Sequence, residues 1–300
     1  MKETFDVAIV GAGPAGISAA CVLADAGIKT IVLERGEYPG AKNMSGGVLY
    51  GHDLAQILPD FTQQGCPIER NIIESRIWYL DKESGYSIAY RDAIFAGERK
   101  YNVFTVGRAR FDRWYAEQAR KKGALVVPGT VVVDLLRSNG QVTGVATGRE
   151  DGEVKARIVL LADGVNSALA ATVGFRSEPK SEHVALAVKE SIDLSCEVIN
   201  QRFGVSDENG ITTEIMGSMA GGMDGVGVMY TNHGTVSLAL GANLADFAAR
   251  KVKPYELMEA FKSHPMVAPL IEGGKPLEYT AHWLPEAGSV SYTHLTLPTN

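Results

Sequence analysis

Six residues near the N-terminus, Gly11-Ala12-Gly13-Pro14-Ala15-Gly16, limit the folds open to this 300-residue chain more than any other stretch. They follow Phe5 to Val10 (FDVAIV), a short apolar, β-branched run that reads as a buried parallel strand. They precede Ile17 to Ala26, whose Ala and Leu content predicts a helix ended by Gly27. Strand, G-x-G-x-x-G and helix together open a Rossmann-type βαβ unit. In such a unit Gly11 permits the tight turn, Gly13 lets the backbone approach a pyrophosphate, and Gly16 lets helix pack closely on strand. The free amides and positive dipole of the helix start stabilise that anion, and Pro14 pre-sets the backbone there.

A second predicted strand, Lys29 to Leu33, ends in Glu34, whose carboxylate can accept hydrogen bonds from both ribose hydroxyls of an adenosine. The same charge repels a 2′-phosphate, so NADP fits this site poorly while NAD and FAD both suit it. FAD is preferred because of what interrupts the unit. Leu125 to Val127, Thr130 to Leu136, Gln141 to Thr147 and Val154 to Leu161 read as strands, with hairpin turns at Asn139-Gly140 and Asp151-Gly152. A three-stranded meander inside a nucleotide fold is a habit of two-domain flavoproteins. The run Ile158 to Asp163 then brings a second polar strand end, Asp163-Gly164, toward the nucleotide, and Val165 to Val173 is expected to be a helix capped by Asn166 or Ser167.

The net charge of -6 carries no basic block, which argues against a nucleic-acid partner. Three scattered cysteines, Cys21, Cys66 and Cys196, make neither a disulfide framework nor a C-x-x-C metal motif, so a reducing cytoplasm is expected. Six histidines show no H-x-x-x-H spacing; no metal ligand and no catalytic residue is nominated. No signal peptide and no apolar run of transmembrane length is read.

Five segments carry a resemblance: GAGPAG with Glu34-Arg35, then Gly40 to Gly47 (GAKNMSGG), then Arg108 before Phe111-Asp112, then Ala162-Asp163-Gly164, and Phe261 to Gly274 with Ala281-His282 and Pro285-Glu286. Over roughly Phe5 to Gly288 the chain resembles the FixC-type branch of the electron-transfer flavoprotein:quinone oxidoreductases. Geranylgeranyl reductases and aromatic hydroxylases are similar in the first and third segments and match the Lys42 to Gly47 segment less well. The resemblance implies an α/β fold of glutathione-reductase type. Its FAD-binding domain would span residues 1–175, with the meander at about 125–161, and an antiparallel α+β substrate or quinone domain would span 176–288. It implies FAD held by Gly11, Gly13, Pro14, Ala15, Gly16, Glu34, Arg35, Val132, Asp163 and Gly164. Ser45, Gly46 and Gly47 would lie against the isoalloxazine, where glycine leaves room for a flat ring, and Arg108 would meet the cofactor from the start of a helix at Arg110 to Lys122.

The activity implied is electron transfer from an electron-transfer flavoprotein to quinone or a ferredoxin-like subunit, with peripheral contact at the inner face of a membrane. An NADPH-using isoprenoid reductase or flavin hydroxylase, and a non-catalytic FAD-binding assembly subunit, are the alternatives. Against stable nicotinamide binding, Gly222 to Gly227 (GMDGVG) has glycines but no predicted following helix. Residues 289–300 (SVSYTHLTLPTN) depart from the family pattern and resemble a translated sequencing adapter, so the chain reads as C-terminally truncated and weaker in FAD retention than its intact relatives.

Overall fold

A computed structural model describes residues 4–44, 46–177 and 180–285. The chain begins with β1 (Thr4–Val10), α1 (Pro14–Asp25), β2 (Thr30–Leu33), β3 (Gly47–Tyr50), α2 (Gly51–Ala55), β4 (Ile68–Leu80) and β5 (Gly85–Arg91). It continues with β6 (Val103–Val106), α3 (Arg108–Lys121), β7 (Leu125–Val127), β8 (Val132–Ser138), β9 (Gln141–Thr147), β10 (Glu153–Leu161) and α4 (Ala168–Thr172). Then come β11 (Val184–Asp193), α5 (Cys196–Phe203), β12 (Asn209–Gly217), β13 (Gly225–Thr231), β14 (Thr235–Asn243), α6 (Leu244–Arg250), α7 (Pro254–Lys262), α8 (Ala268–Ile271) and β15 (Lys275–Pro285). Two compact units result: Met1–Glu69 with Tyr101–Glu178, and Arg70–Lys100 with Pro179–Asn300. Arg70–Lys100, which sequence reading left inside the first domain, packs with the second unit.

In the first unit the sheet order is β7-β2-β1-β10-β9-β8. β1 lies parallel to both β2 and β10, so it is central, which accounts for its unbroken apolar run. One face is covered by α1 and α3: Val7, Ile9, Ile17, Ala20, Phe111, Tyr115 and Ala119 share one core cluster. Tyr115 and Ser18 add a hydroxyl hydrogen bond of 2.8 Å between those helices. On the other face Ala8, Val10, Ile31 and Leu33 pack with Leu135, Val145 and Leu169. The first meander turn is as predicted, with Asn139 (φ 50°) and Gly140 (φ 80°) both left-handed, the conformation that a two-residue hairpin needs. The second, expected at Asp151-Gly152, is a longer connection over 148–152 in which Asp151 (φ 51°) alone is left-handed. Beside Val7 and Ile9 on the helix-bearing face, Ile158 and Leu160 of β10 are exposed.

In the second unit the order is β15-β11-β14-β13-β12-β4, with β5 on β4. The pairs are antiparallel except β12 with β4. Helices α5 and α7 cover one face through Ile199, Phe203, Leu257, Met258 and Phe261, which meet Leu238, Leu240, Ile211 and Ile215. Arg70 is fully buried here. Its Nε donates to the Asn232 carbonyl at 2.7 Å, its Nη1 to Asn200 Oδ1 and to the Ser206 and Asn209 carbonyls at 2.8–2.9 Å. Its Nη2 reaches Cys196 Sγ at 3.1 Å and the His233 carbonyl at 3.4 Å. The charge is therefore surrounded by acceptors, which is what makes its burial tolerable.

Candidate functional site

The C-terminal ends of β1, β2 and β10 open onto a cavity of ≈ 300 Å³. Its floor is the glycine turn. Gly11 has φ 103°, and a Cβ there would strike the Ala162 carbonyl; a Cβ on Gly16 would strike the Gly11 carbonyl. These two glycines are required by the protein's own packing. Gly13 differs: its φ is -73°, and a Cβ there would meet no protein atom within 4 Å. It also occupies the N-cap of α1, where no side chain accepts a hydrogen bond from the first-turn amides. Those donors, and the space above Gly13, are left for a ligand.

Glu34 closes β2 and is 9% exposed. Its Oε2 accepts from the Ala12 amide at 2.8 Å and its Oε1 from the Gly36 amide at 2.7 Å. The carboxylate thus ties the glycine turn to the turn after β2, while about two of its roughly four lone-pair sites remain for ribose hydroxyls. The residue is both a structural tie and a candidate ligand; sequence reading anticipated only the second role.

Of the nominated residues, Gly11, Gly13, Pro14, Ala15, Glu34, Arg35, Val132, Asp163 and Gly164 line this one cavity. Gly16 lies behind it in the turn. Asp163 has a further duty, since its Oδ2 accepts from the amides of Leu169 and Ala170 at 3.0 and 3.2 Å and so caps α4. The expected cap, Asn166 or Ser167, is corrected by this geometry. Ser167 occupies the N-cap position with φ 43° and makes no side-chain cap bond, donating instead to the Gly164 carbonyl at 2.7 Å. Helix α4 is accordingly shorter than predicted. Lys42, Asn43, Thr130 and Val131 also line the cavity. Lys42 and Asn43 belong to the Gly40 to Gly47 segment, yet nothing in spacing alone marks them as cavity walls.

Gly47 and Arg108 come together at the start of α3, with Gly46 related to them by its place next to Gly47 in the chain. Arg108 donates bidentately to Asp112, Nε to Oδ1 and Nη2 to Oδ2, both at 2.9 Å. Asn43 Nδ2 donates to the same carboxylate at 2.6 Å, and Gly40 (φ 93°) packs directly over it. A Cβ on Gly47 would lie 3.9 Å from Arg108 Cδ. Asp112 is 2% exposed and holds Arg108, Asn43 and the Gly40 backbone around one carboxylate. In the sequence it stands beside Arg108 and Phe111 with nothing to mark this role. Ser45 lies outside the described residues, as does the 289–300 tail.

Residues 6–186 match the profile of the family described as FAD dependent oxidoreductase. The chain belongs to the FAD-dependent oxidoreductases. This FAD-dependent oxidoreductase is 42% identical to protein FixC of Bradyrhizobium diazoefficiens over 98% of its own length and 68% of that protein's. It is 44% identical to protein FixC of Azotobacter vinelandii, over 96% of this chain and 66% of the relative. To the probable electron transfer flavoprotein-quinone oxidoreductase YdiS of Escherichia coli it is 41% identical, over 95% and 66%. The chain therefore spans about two thirds of the length of these relatives.

Among solved structures, a geranylgeranyl bacteriochlorophyll reductase-like protein from Thermoplasma acidophilum superposes with TM-score 0.74 at 22% identity, covering 95% of this chain and 67% of that one. The myxobacterial FAD-dependent halogenase CndH superposes with TM-score 0.70 at 18% identity, over 93% and 64%. These likenesses establish the fold, a Rossmann-type α/β FAD-binding architecture with an antiparallel-sheet partner.

FAD is the family's cofactor, and the cavity's chemistry suits its adenosine diphosphate end: uncapped helix amides and the cations Arg35 and Lys42 for phosphate, and a carboxylate for ribose. Among the described residues no cluster of His, Cys, Asp and Glu could hold a metal ion. No described helix is long and apolar enough to cross a membrane.

Proposed function

We propose that this oxidoreductase serves electron transfer, accepting electrons from an electron-transfer flavoprotein and passing them to quinone or to a ferredoxin-like partner. The flavin supplies the redox chemistry when bound. The chain's own residues bind and orient. The α1 amides receive the diphosphate, Glu34 accepts from the ribose, Val132 flanks the adenosine, and Gly46 and Gly47 leave room for a flat ring beside the stem of Arg108. The first unit is the FAD domain in this reading, and the antiparallel sheet of the second is the acceptor domain.

One observation carries the binding part: uncapped first-turn amides and the Glu34 carboxylate line the same cavity. The electron-transfer part is supported by the names of the relatives at 41–44% identity. It is also supported by the glycines at Gly221–Gly227, which run into strand β13 rather than a helix and so provide no second dinucleotide turn there.

Two experiments test the reading. Gly13→Val is expected to fold, because a Cβ at this position, with φ -73°, meets no protein atom within 4 Å, and to lose flavin absorbance. Gly16→Ala is expected to fail in folding itself. A Gly13→Val protein that stays yellow overturns the binding assignment. Anaerobic stopped-flow mixing of FAD-reconstituted protein with reduced electron-transfer flavoprotein is expected to bleach the flavin, and NADPH to leave it oxidised; the reverse pattern favours a reductase or hydroxylase.

A further inference from the structure

Strands β4 and β5 form a ribbon in the second unit whose register pairs Ile77 with Ile88, Tyr79 with Tyr86 and Ser75 with Tyr90. Directly paired residues share a face of the sheet. Ile77, Tyr79, Tyr86, Ile88 and Tyr90 therefore project from one side, and Met216 of β12, in register with Tyr79, extends the row. Every residue of β5 is exposed, with Tyr86, Ile88 and Tyr90 at 59, 62 and 61%. The ribbon is nonetheless well held. Tyr79 and Tyr86 stack with ring centroids 5.7 Å apart, and on the opposite face Glu74 is ion-paired with Arg76 and Arg91.

Natural proteins protect an edge strand with lysine, proline, an inward charge or a bulge. Gly85 to Tyr90 has none of the first three, and the one charge of β5, Arg91 at its end, is held by Glu74. The register with β4 is unbroken, and β5 pairs with β4 alone among the described strands. High-propensity Tyr and Ile with an open backbone edge make a template for another strand.

We propose that the template is for itself: β5 pairs antiparallel with β5 of a second copy, about a two-fold axis through Ile88. An isologous contact requires a surface complementary to itself. Tyr86-Ser87-Ile88-Ala89-Tyr90 reads Tyr, small, Ile, small, Tyr in both directions. About that axis Ile88 faces Ile88, and Tyr86 faces Tyr90, giving aromatic cross-strand pairs. The charges at the two ends fit the same arrangement. Arg91, ion-paired with Glu74, ends β5 and Asp92 follows it, while Lys82 and Glu83 sit in the turn at the other end. Antiparallel pairing sets Arg91 opposite Gly85 and Asp92 opposite Ser84 of the second copy, two residues from Glu83 and Lys82 respectively. A parallel arrangement sets like charges together.

Cysteine cross-linking reads this register directly. Antiparallel partners have Cα atoms about 4.5–5.5 Å apart, inside the ~4.4–6.8 Å range a disulfide spans. Ile88→Cys is expected to oxidise to a covalent dimer. Tyr86→Cys alone is not, because its own copy lies four residues away, about 13 Å along the strand. An equimolar mixture of Tyr86→Cys and Tyr90→Cys is expected to cross-link. Parent protein, with Cys21, Cys66 and Cys196, gives the background. In sedimentation velocity the parent is expected to run as a dimer, and Ile88→Lys as a monomer with unchanged circular dichroism. A monomeric parent, a folded Ile88→Lys that stays dimeric, or Tyr86→Cys cross-linking as fast as Ile88→Cys overturns the proposal.

Discussion

Replacing Glu34 by Gln keeps the size of the side chain and removes its charge. In the parent one oxygen takes the Ala12 amide at 2.8 Å and the other the Gly36 amide at 2.7 Å, at a site 9% exposed. Gln keeps one oxygen and turns the other into a donor that faces an N–H. One buried amide is then unpaired, at about 1–3 kcal/mol, and the surviving bond falls from charge-assisted to neutral strength, a further ~1 kcal/mol. The expected loss is about 2–4 kcal/mol in the absence of any ligand, or roughly 5–15 °C in melting temperature for a protein of this size. Urea denaturation of the flavin-free protein measures it, with the midpoint lowered and the slope unchanged. Flavin affinity, read by fluorescence quenching, is expected to fall as well. A variant within about 0.5 kcal/mol of the parent refutes the tie between the two turns, since that change is no larger than an ordinary surface substitution. If its flavin affinity alone collapses, Glu34 is a ligand group only.

Asp112→Ala frees Arg108 and Asn43 together. The urea midpoint is expected to drop by somewhat less than the ~3–5 kcal/mol of a fully buried pair, because the Arg108 side chain keeps 22% exposure. Arg70→Lys is expected to destabilise the protein nearly as much as Arg70→Met in the same assay, since a single ammonium cannot serve acceptors spread over the guanidinium's fork. Burial pushes the Cys21 thiol up to about 11, and the Cys66 thiol and Tyr115 hydroxyl each up to about 12. The folded chain therefore holds protons that the unfolded chain releases, so this stabilisation is complete below about pH 9 and disappears as pH rises toward 11–12. Urea midpoints measured from pH 8 to 11 should decline, and iodoacetamide at pH 8 should spare Cys21 and Cys66 until urea is added.

The nucleotide end of the first unit was legible because each signal there is local. Glycines that the packing itself demands, a β-branched run buried on both faces and an acid at a strand end all sit within about thirty residues of one another, as the βαβ unit requires. The Asn139-Gly140 turn likewise contains its own instruction. Strand β4 escaped for the opposite reason. Its sequence, IERNIIESRIWYL, shows no clean alternation, because Arg70 is buried and satisfied by residues distant in the chain and Glu74 is buried between Arg76 and Arg91. The cap of α4 was misread because Asn166 and Ser167 are the usual capping types at the usual place, while the working acceptor, Asp163, reaches forward six and seven residues. Asp112 was equally hidden, since its importance lies in Asn43 and Gly40 coming to it from 69 residues or more away.

Arg70 bears on how the second unit is assembled. A guanidinium leaves water at little net cost only when its substitutes are already in position, and here they are drawn from α5, from the segment before β12 and from the β13–β14 hairpin. Stabilising any one of these loops alone leaves the cation partly stripped and poorly compensated. The loops are therefore expected to order in concert, so that amide exchange at Asn200, Asn209 and Asn232 should share one opening free energy.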